Sequence, residues 1–264
     1  MTPEQSPIRV LVAEDVTVLR RAIVSWLSRL VDIEVVGEAG NGQEAVDAVD
    51  ALRPDVVLMD MRMPVLDGIE ATRRITMRHP GTAVLLLSAY GEQSFIDEGM
   101  NAGARGYLFK DFSPRTLELA IYRVARSAPV AAAAAVGSDS STGDRSLPNG
   151  TKVIDRDIAA SVVAVYDDNE ELHELLALFA DDGAARIGRL RNAVAGDDTR
   201  AVAADAHALR GAGAAFGAAR VVELASQLEQ RAQAGRLAGA DTTVDDLEHE
   251  FGRAVDELRT VWAQ

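Results

Sequence analysis

Two side chains sit in settings suited to carrying a phosphoryl group. One is Asp60, within Met59-Asp60-Met61-Arg62-Met63-Pro64; the other is His207, within Ala206-His207-Ala208-Leu209-Arg210-Gly211-Ala212-Gly213. A carboxylate forms an acyl phosphate and an imidazole a nitrogen-linked one, so the pair suggests phosphate passed along a relay. Nothing that binds ATP is visible between them.

More chemistry-bearing residues surround Asp60 in the order of the chain. Glu14-Asp15 follows the first apolar run, Asp60 ends the third, Ser88 ends the fourth and Lys110 the fifth. If those runs are adjacent parallel strands, three carboxylates converge in one shallow pocket. Like charges so close raise one another's pKa unless a cation sits among them. Mg²⁺ fits, because it takes a few carboxylates and keeps several waters. A metal and the Lys110 ammonium would neutralise developing charge, and the Ser88 hydroxyl would position phosphoryl oxygens. The chain holds two lysines against 25 arginines, so a lysine at the end of the fifth strand points to a need for a compact charge. Any single Asp at a strand-to-helix turn is more simply a helix cap. For the five residues jointly that explanation is poor.

The elements that must position these groups fall into two halves. Residues 8–13, 33–36, 56–59, 83–87 and 106–109 read as strands, mostly with the near-continuous aliphatic content of strands buried on both faces. Helical spacing covers 19–30, 42–52, 68–78, 92–102 and 113–126. Five such units predict a five-stranded, doubly wound parallel α/β sheet over residues 6–126, with ligands at the carboxyl ends of its strands. Gly37-Glu38-Ala39-Gly40-Asn41-Gly42 lacks the Gly-Lys-Ser/Thr ending of a P-loop and reads as a plain strand-to-helix turn. Residues 127–153, rich in Ala, Ser and Gly, form a linker that would span roughly 25–30 Å as a flexible coil. Residues 154–264 show no strand signal; helical patterns over 155–166, 169–195, 199–216, 218–233 and 243–262 predict an all-α four-helix bundle with a short leading helix.

At Glu14, Asp15, Asp60, Ser88 and Lys110, residues 1–126 resemble a response-regulator receiver domain of the NarL-like branch, which has a flavodoxin-like fold. The resemblance implies that Asp60 is the phosphoacceptor. It also implies that Glu14, Asp15, Asp60 and the backbone carbonyl of Arg62 serve Mg²⁺, that Ser88 and Lys110 contact the phosphoryl group, and that Tyr107 changes rotamer, with Ser88, on activation. Asp111 departs from the pattern, since many receivers carry proline after the lysine; related regulators also lack it. Arg62 and Tyr90 lie two residues past Asp60 and Ser88, beside the water path to an aspartyl phosphate, and are expected to tune its lifetime.

Helical phase places Val202, Ala206, Leu209, Gly213 and Phe216 on one core-facing stripe and His207 opposite, pointing to solvent. Ala203, Ala204, Gly211, Ala214 and Ala218 then form a small-residue collar open to a partner surface. Arg210, one turn on, is placed to steady a phosphoryl group by charge-assisted hydrogen bonding. Through Leu175-Leu176-Ala177-Leu178-Phe179, the His207 motif with Gly211 and Gly217, and Leu228-Glu229, the second half resembles a histidine phosphotransfer (HPt) domain. That implies His207 is the phosphorylated residue, with Arg210 where such domains commonly carry lysine. The glycines after His207 do not match a dinucleotide fingerprint, and no strand precedes them. His79, His173 and His249 read as ordinary surface residues, and no histidine pair has metal-ligand spacing.

Composition narrows the function further. Net charge is −14, with 18 acidic against 14 basic residues up to 126 and 23 against 13 beyond. Nucleic acid is therefore not an expected partner, and a DNA-binding helix-turn-helix is not expected in the acidic second half. Without cysteine there is no disulfide, thiolate metal site or Cys nucleophile. No signal peptide or membrane-spanning run is visible, so a soluble, cytoplasmic protein without membrane insertion is expected. A complete histidine kinase is not expected, because no ATP-binding domain is seen. The resulting expectation is a phosphorelay protein rather than a metabolic enzyme. A sensor histidine kinase phosphorylates Asp60, and phosphate moves between Asp60, His207 and a downstream receiver domain or response regulator. The alternative is a phosphorylation-controlled interaction switch whose helical bundle is a binding module with an incidental histidine.

Overall fold

The computed structural model describes residues 6–88, 93–110, 112–126, 153–163 and 169–262. Its contacts divide the chain into two units, Met1–Ser141 and Thr142–Gln264. Most of the predicted linker, Tyr90 and Asp111 lie outside the described residues.

In the first unit five strands alternate with five helices. They are β1 (Ile8–Ala13), α1 (Thr17–Ser28), β2 (Ile33–Ala39), α2 (Gly42–Leu52), β3 (Val56–Asp60), α3 (Gly68–Arg78), β4 (Ala83–Ser88), α4 (Gln93–Asn101), β5 (Gly106–Phe109) and α5 (Pro114–Arg126). The strands form one parallel sheet in the order β2-β1-β3-β4-β5. β1, β3 and β4 are the central strands, and their aliphatic runs are buried on both faces, as Val10–Val12, Val56–Met59 and Ala83–Leu87 show. One face packs on α2, α3 and α4 through Leu11, Val57, Met59, Leu86, Val49 and Ile75. α1 and α5 contact each other on the other.

β2 runs three residues further than its aliphatic signal, through Gly37, Glu38 and Ala39. Pairing with β1 extends it: Leu11, Val12 and Ala13 register with Gly37, Glu38 and Ala39 after an irregularity at Val10/Leu11. Gly37 leaves room there for Leu52 and Leu11, because a Cβ would lie 2.7 Å from Leu52 Cδ1. The glycine-rich stretch is thus strand end and turn. Asn41 caps α2 by accepting from the Glu44 N–H, and the Glu44 carboxylate accepts in return from Gly40 N–H at 2.7 Å.

The second unit holds α6 (Arg156–Val163), α7 (Asn169–Ala195), α8 (Thr199–Ala215), α9 (Ala219–Gln233) and α10 (Ala240–Trp262). Each of the last four packs on its neighbours, and α10 closes the ring on α7, which makes a four-helix bundle. Phe179, Phe216, Phe251 and Trp262 form an aromatic chain at its centre, with centroid separations from 4.8 to 5.8 Å. Gly183 admits the Phe251 ring, since a Cβ would lie 2.1 Å from Phe251 Cζ. The leading helix α6 is held by Trp262 Nε1–H donating to the Ala159 carbonyl at 3.1 Å. α10 begins before the predicted position because buried Leu237 and Ala240 close a turn ahead of it.

Candidate functional site

β1 and β3 are neighbours, so their carboxyl ends bring Glu14, Asp15 and Asp60 together. One carboxylate oxygen from each lies within 4.8 Å of the others. Capping does not account for them: the residue that caps α1 is Val16, which makes no side-chain cap, and α3 is capped by Asp67, which accepts from Glu70 N–H. Lys110 follows β5 and is buried, as are Glu14 and Asp60, whereas Asp15 is half-buried. Its ammonium lies 2.9 Å from Asp60 Oδ1 and 3.0 Å from Glu14 Oε2. Ser88 is wholly buried at the end of β4, and its backbone carbonyl accepts from Lys110 N–H at 2.8 Å, which fixes the lysine backbone.

Burial, and then the charge of Asp60, push the Glu14 carboxyl up to about 8, with Lys110 opposing. Burial works against the charge of Lys110, yet Asp60 and Glu14 outweigh it and hold the ammonium protonated well above the usual lysine range. The Lys110 ammonium thus contacts two of the three acids, Glu14 and Asp60. Asp60 Oδ2 is buried and receives no hydrogen bond. Three carboxylates so close fit a hard divalent cation, which would add positive charge among them.

The loop after β3 is shaped to reach this pocket. Gly68 N–H donates to the Met61 carbonyl at 3.0 Å, and a Cβ on Gly68 would lie 1.9 Å from the Asp60 carbonyl oxygen. Leu66 N–H donates to Pro64 across Val65, whose φ of 69° is the γ-turn geometry that β-branched residues avoid. Gly42 N–H takes the Leu66 carbonyl, where a Cβ would approach to 2.3 Å. Arg62 is half-buried in this loop. Tyr107 is half-buried at the core edge and meets Phe109 edge-on at 5.6 Å. Arg20 of α1 is a contributor that no spacing in the sequence marks: its guanidinium donates to the Glu14 carbonyl and to Glu38.

In the bundle, the predicted exposure of His207 is corrected. Only 7% of the residue is exposed, because α8 is flanked by both α7 and α9 and is buried on more than one face. The core stripe of Val202, Ala206, Leu209, Gly213 and Phe216 is buried as expected. Of the collar, Ala204 is exposed and Ala203 and Ala214 half-buried, whereas Gly211 and Ala218 are buried. His207 Nδ1 lies 3.0 Å from Glu229 Oε1 on α9. Arg210 does not reach outward either. Its Nε lies 3.2 Å from Glu229 Oε2 and its Nη2 3.2 Å from His207 Nδ1, since a carboxylate as buried as Glu229 requires a counter-charge. Glu229 had a findable signal: it interrupts the apolar stripe of α9 beside Ala225, Leu228 and Ala232. His79 is likewise no ordinary surface residue. It sits between Asp50 and Arg53, whereas His173 and His249 are exposed.

Comparison with known proteins agrees with this geometry. The family model for the response regulator receiver domain matches residues 10–122, and that for the Hpt domain residues 174–260. Chemotaxis protein CheY of Thermotoga maritima is 35% identical over 118 residues, which are 45% of this chain and 98% of that protein. Transcriptional regulatory protein LnrK of Bacillus subtilis (strain 168) is 38% identical over 117 residues, 44% of this chain and 53% of that protein. The chain thus spans about half the length of such regulators. Among solved structures, the response regulator domain of Thermotoga maritima CheB is similar at 31% identity and TM-score 0.44, covering 47% of this chain and 99% of that one. The chain belongs to the response regulator receiver family. It joins that domain to an Hpt domain. Among the described residues no helix is long and apolar enough to cross a membrane.

Proposed function

We propose that residues 6–126 accept a phosphoryl group on Asp60 from a sensor histidine kinase and that it is exchanged with His207 in residues 154–264, with a downstream receiver domain or response regulator, or with both. The observation that carries this reading is the Asp60–Lys110–Glu14 set, in which one buried ammonium contacts both carboxylates and Asp60 retains an oxygen that receives no hydrogen bond. Lys110 neutralises charge on the phosphoryl oxygens as Asp60 accepts the group, and Ser88 orients it. Glu14, Asp15, Asp60 and the Arg62 carbonyl would hold Mg²⁺, which when bound adds further neutralising charge on the transferred group. Tyr107, with Ser88, reports the phosphorylated state to the β4–β5 side. Arg62 shapes water access; Arg62→Ala is expected to change the decay rate of the aspartyl phosphate, and an unchanged rate removes that role.

In the bundle His207 is the acceptor. Glu229 holds Nδ1, so Nε2 is the nitrogen to be phosphorylated, approached over Ala203, Ala204 and Ala214. The test follows labelled phosphate from the phosphorylated receiver. Label on the bundle that is labile to acid, stable to base and absent from His207→Ala supports the reading; acid-stable label, or label retained in His207→Ala, overturns it.

The burial of His207 favours a second reading, in which the bundle is a binding module and its histidine is incidental. Signalling that survives His207→Gln but is lost on deleting the bundle would establish it.

A further inference from the structure

The Glu14–Asp15 turn carries two of the three acids, yet the helix it leads into has no capping side chain, since Val16 makes no cap bond. Other contacts must fix its backbone. Glu14 is held by its neighbours. Its N–H donates to the Ala39 carbonyl at 3.0 Å, its carboxylate meets Lys110 Nζ at 3.0 Å and accepts from Val16 N–H at 3.3 Å, and its carbonyl accepts from Arg20 Nη1. That last bond reaches Asp15. A peptide unit is planar, so the direction of the Glu14 carbonyl sets the direction of the Asp15 N–H and constrains where the Asp15 side chain begins.

Arg20 stands one turn into α1, its own N–H donating to Val16 at 2.9 Å, and side chains on a helix lean towards its start. Its side chain is 18% exposed, against 49% for Glu38, whose Oε2 accepts from Arg20 Nε at 3.3 Å. The half-open Glu38 arm is the weaker anchor and the carbonyl arm the stronger. A planar guanidinium can hold both at once, on the ends of β1 and β2, where an ammonium on a flexible stem has no fixed fork. Resting on the reading of Glu14, Asp15 and Asp60 as a Mg²⁺ site, we propose that Arg20 is a positioning residue that aims the Glu14–Asp15 peptide, so that Asp15 converges with Glu14 and Asp60 on the ion.

Charge and geometry predict opposite signs for the loss of Arg20. Its guanidinium bonds the carbonyl that joins two of the acids, and a positive charge there repels Mg²⁺, so on charge alone its removal tightens the ion. If it aims Asp15, its removal loosens the ion, because ordering a loosely held carboxylate opposes binding. Transfer follows the ion. Arg20 touches no phosphoryl oxygen in this arrangement, so its loss raises the Mg²⁺ concentration needed to label Asp60 and leaves the rate at saturating Mg²⁺ unchanged.

The experiment is calorimetric titration of the full chain with MgCl₂, with Asp15→Asn as the control that marks heat from this site. Arg20→Met is expected to weaken Mg²⁺ binding about tenfold. The Mg²⁺ dependence of Asp60 labelling by acetyl phosphate should shift by the same factor, with its maximum unchanged. Unchanged or tighter Mg²⁺ binding in Arg20→Met overturns the proposal, and so does a lowered maximum at saturating Mg²⁺, which would mark Arg20 as a direct phosphoryl contact. Should Arg20→Met not fold, Arg20→Lys provides the same test, since it keeps the charge and loses the fork: weakened binding supports the proposal and wild-type binding overturns it. A wild-type chain without Asp15-dependent heat sinks the metal-site reading, whereas normal wild-type binding with indifferent Arg20 variants sinks only this one.

Discussion

Lys110 is where the receiver site holds most at risk. Its ammonium contacts the carboxylates of both Asp60 and Glu14, and all three residues are at least 98% buried. Removing one partner of a buried ion pair leaves the other uncompensated, at about 3–5 kcal/mol. Lys110→Met is therefore expected to lose roughly that much stability in chelator, and Asp60→Asn in the same chain to restore part of it; thermal unfolding of both variants checks this. Asp50 behaves differently because it is exposed. A hydrogen bond from His79, and then the charge of Arg78, hold its carboxyl below the usual range. The folded value being depressed, this contribution is present above the unfolded value near 3.8 and is lost as pH falls through the folded one. His79→Ala should flatten that acid-side fall in an unfolding series; an unchanged slope would mean the contact is idle. At this scale the receiver acids were legible because strand ends force them together, whatever the side-chain detail. The setting of His207 was not, because helical phase assumes one buried face and α8 has a neighbour on more than one side.

The loop from Met61 to Gly68 decides whether Asp60 is presented correctly. With a Cβ only 1.9 Å from the Asp60 carbonyl, Gly68→Ala must push the loop away, at about 1–3 kcal/mol or more. Loss of Asp60 phosphorylation together with a lowered melting temperature is the expected result; normal phosphorylation would show that the loop has slack. Val65 makes the opposite case. It is exposed and held at positive φ, so Val65→Gly relieves backbone strain of about 1–3 kcal/mol, against roughly 0.5–1 lost to glycine's freedom. A modest gain in melting temperature is expected, and a loss would contradict the strained turn. Most elements could be placed from periodicity because each carries one strong signal: aliphatic runs for β1, β3 and β4, amphipathic spacing for the helices. The end of β2 could not, because Gly37-Glu38-Ala39 has no strand propensity and is extended only by its partner β1. The γ-turn at Val65 was equally hidden, since nothing local in a valine announces positive φ.

At the level of the whole chain, the two units have separate cores, and the proposed relay requires transfer between them. The bundle's aromatic chain and the receiver's sheet core share no residue, so each unit is expected to unfold in its own transition. Mg²⁺ should raise the receiver transition alone, by mass action on the folded state, and Asp15→Asn should abolish that rise. Calorimetry of the full chain with and without the ion reads both effects; a shift of the bundle transition would contradict the assignment. The two-unit plan was legible because the alternation of strand and helix stops and an all-helical pattern takes over. The partner at each end of the transfer was not, since recognition depends on surfaces that periodicity does not describe. The most direct measurement of the central claim starts label on Asp60 of the isolated receiver unit, adds the isolated bundle and times the exchange, then repeats it from a labelled bundle. The account predicts that label appears on His207 as it leaves Asp60, moves in both directions, and fails to move with Asp60→Asn or His207→Ala. Label that decays from Asp60 at the same rate with and without the bundle, never reaching His207, would contradict it.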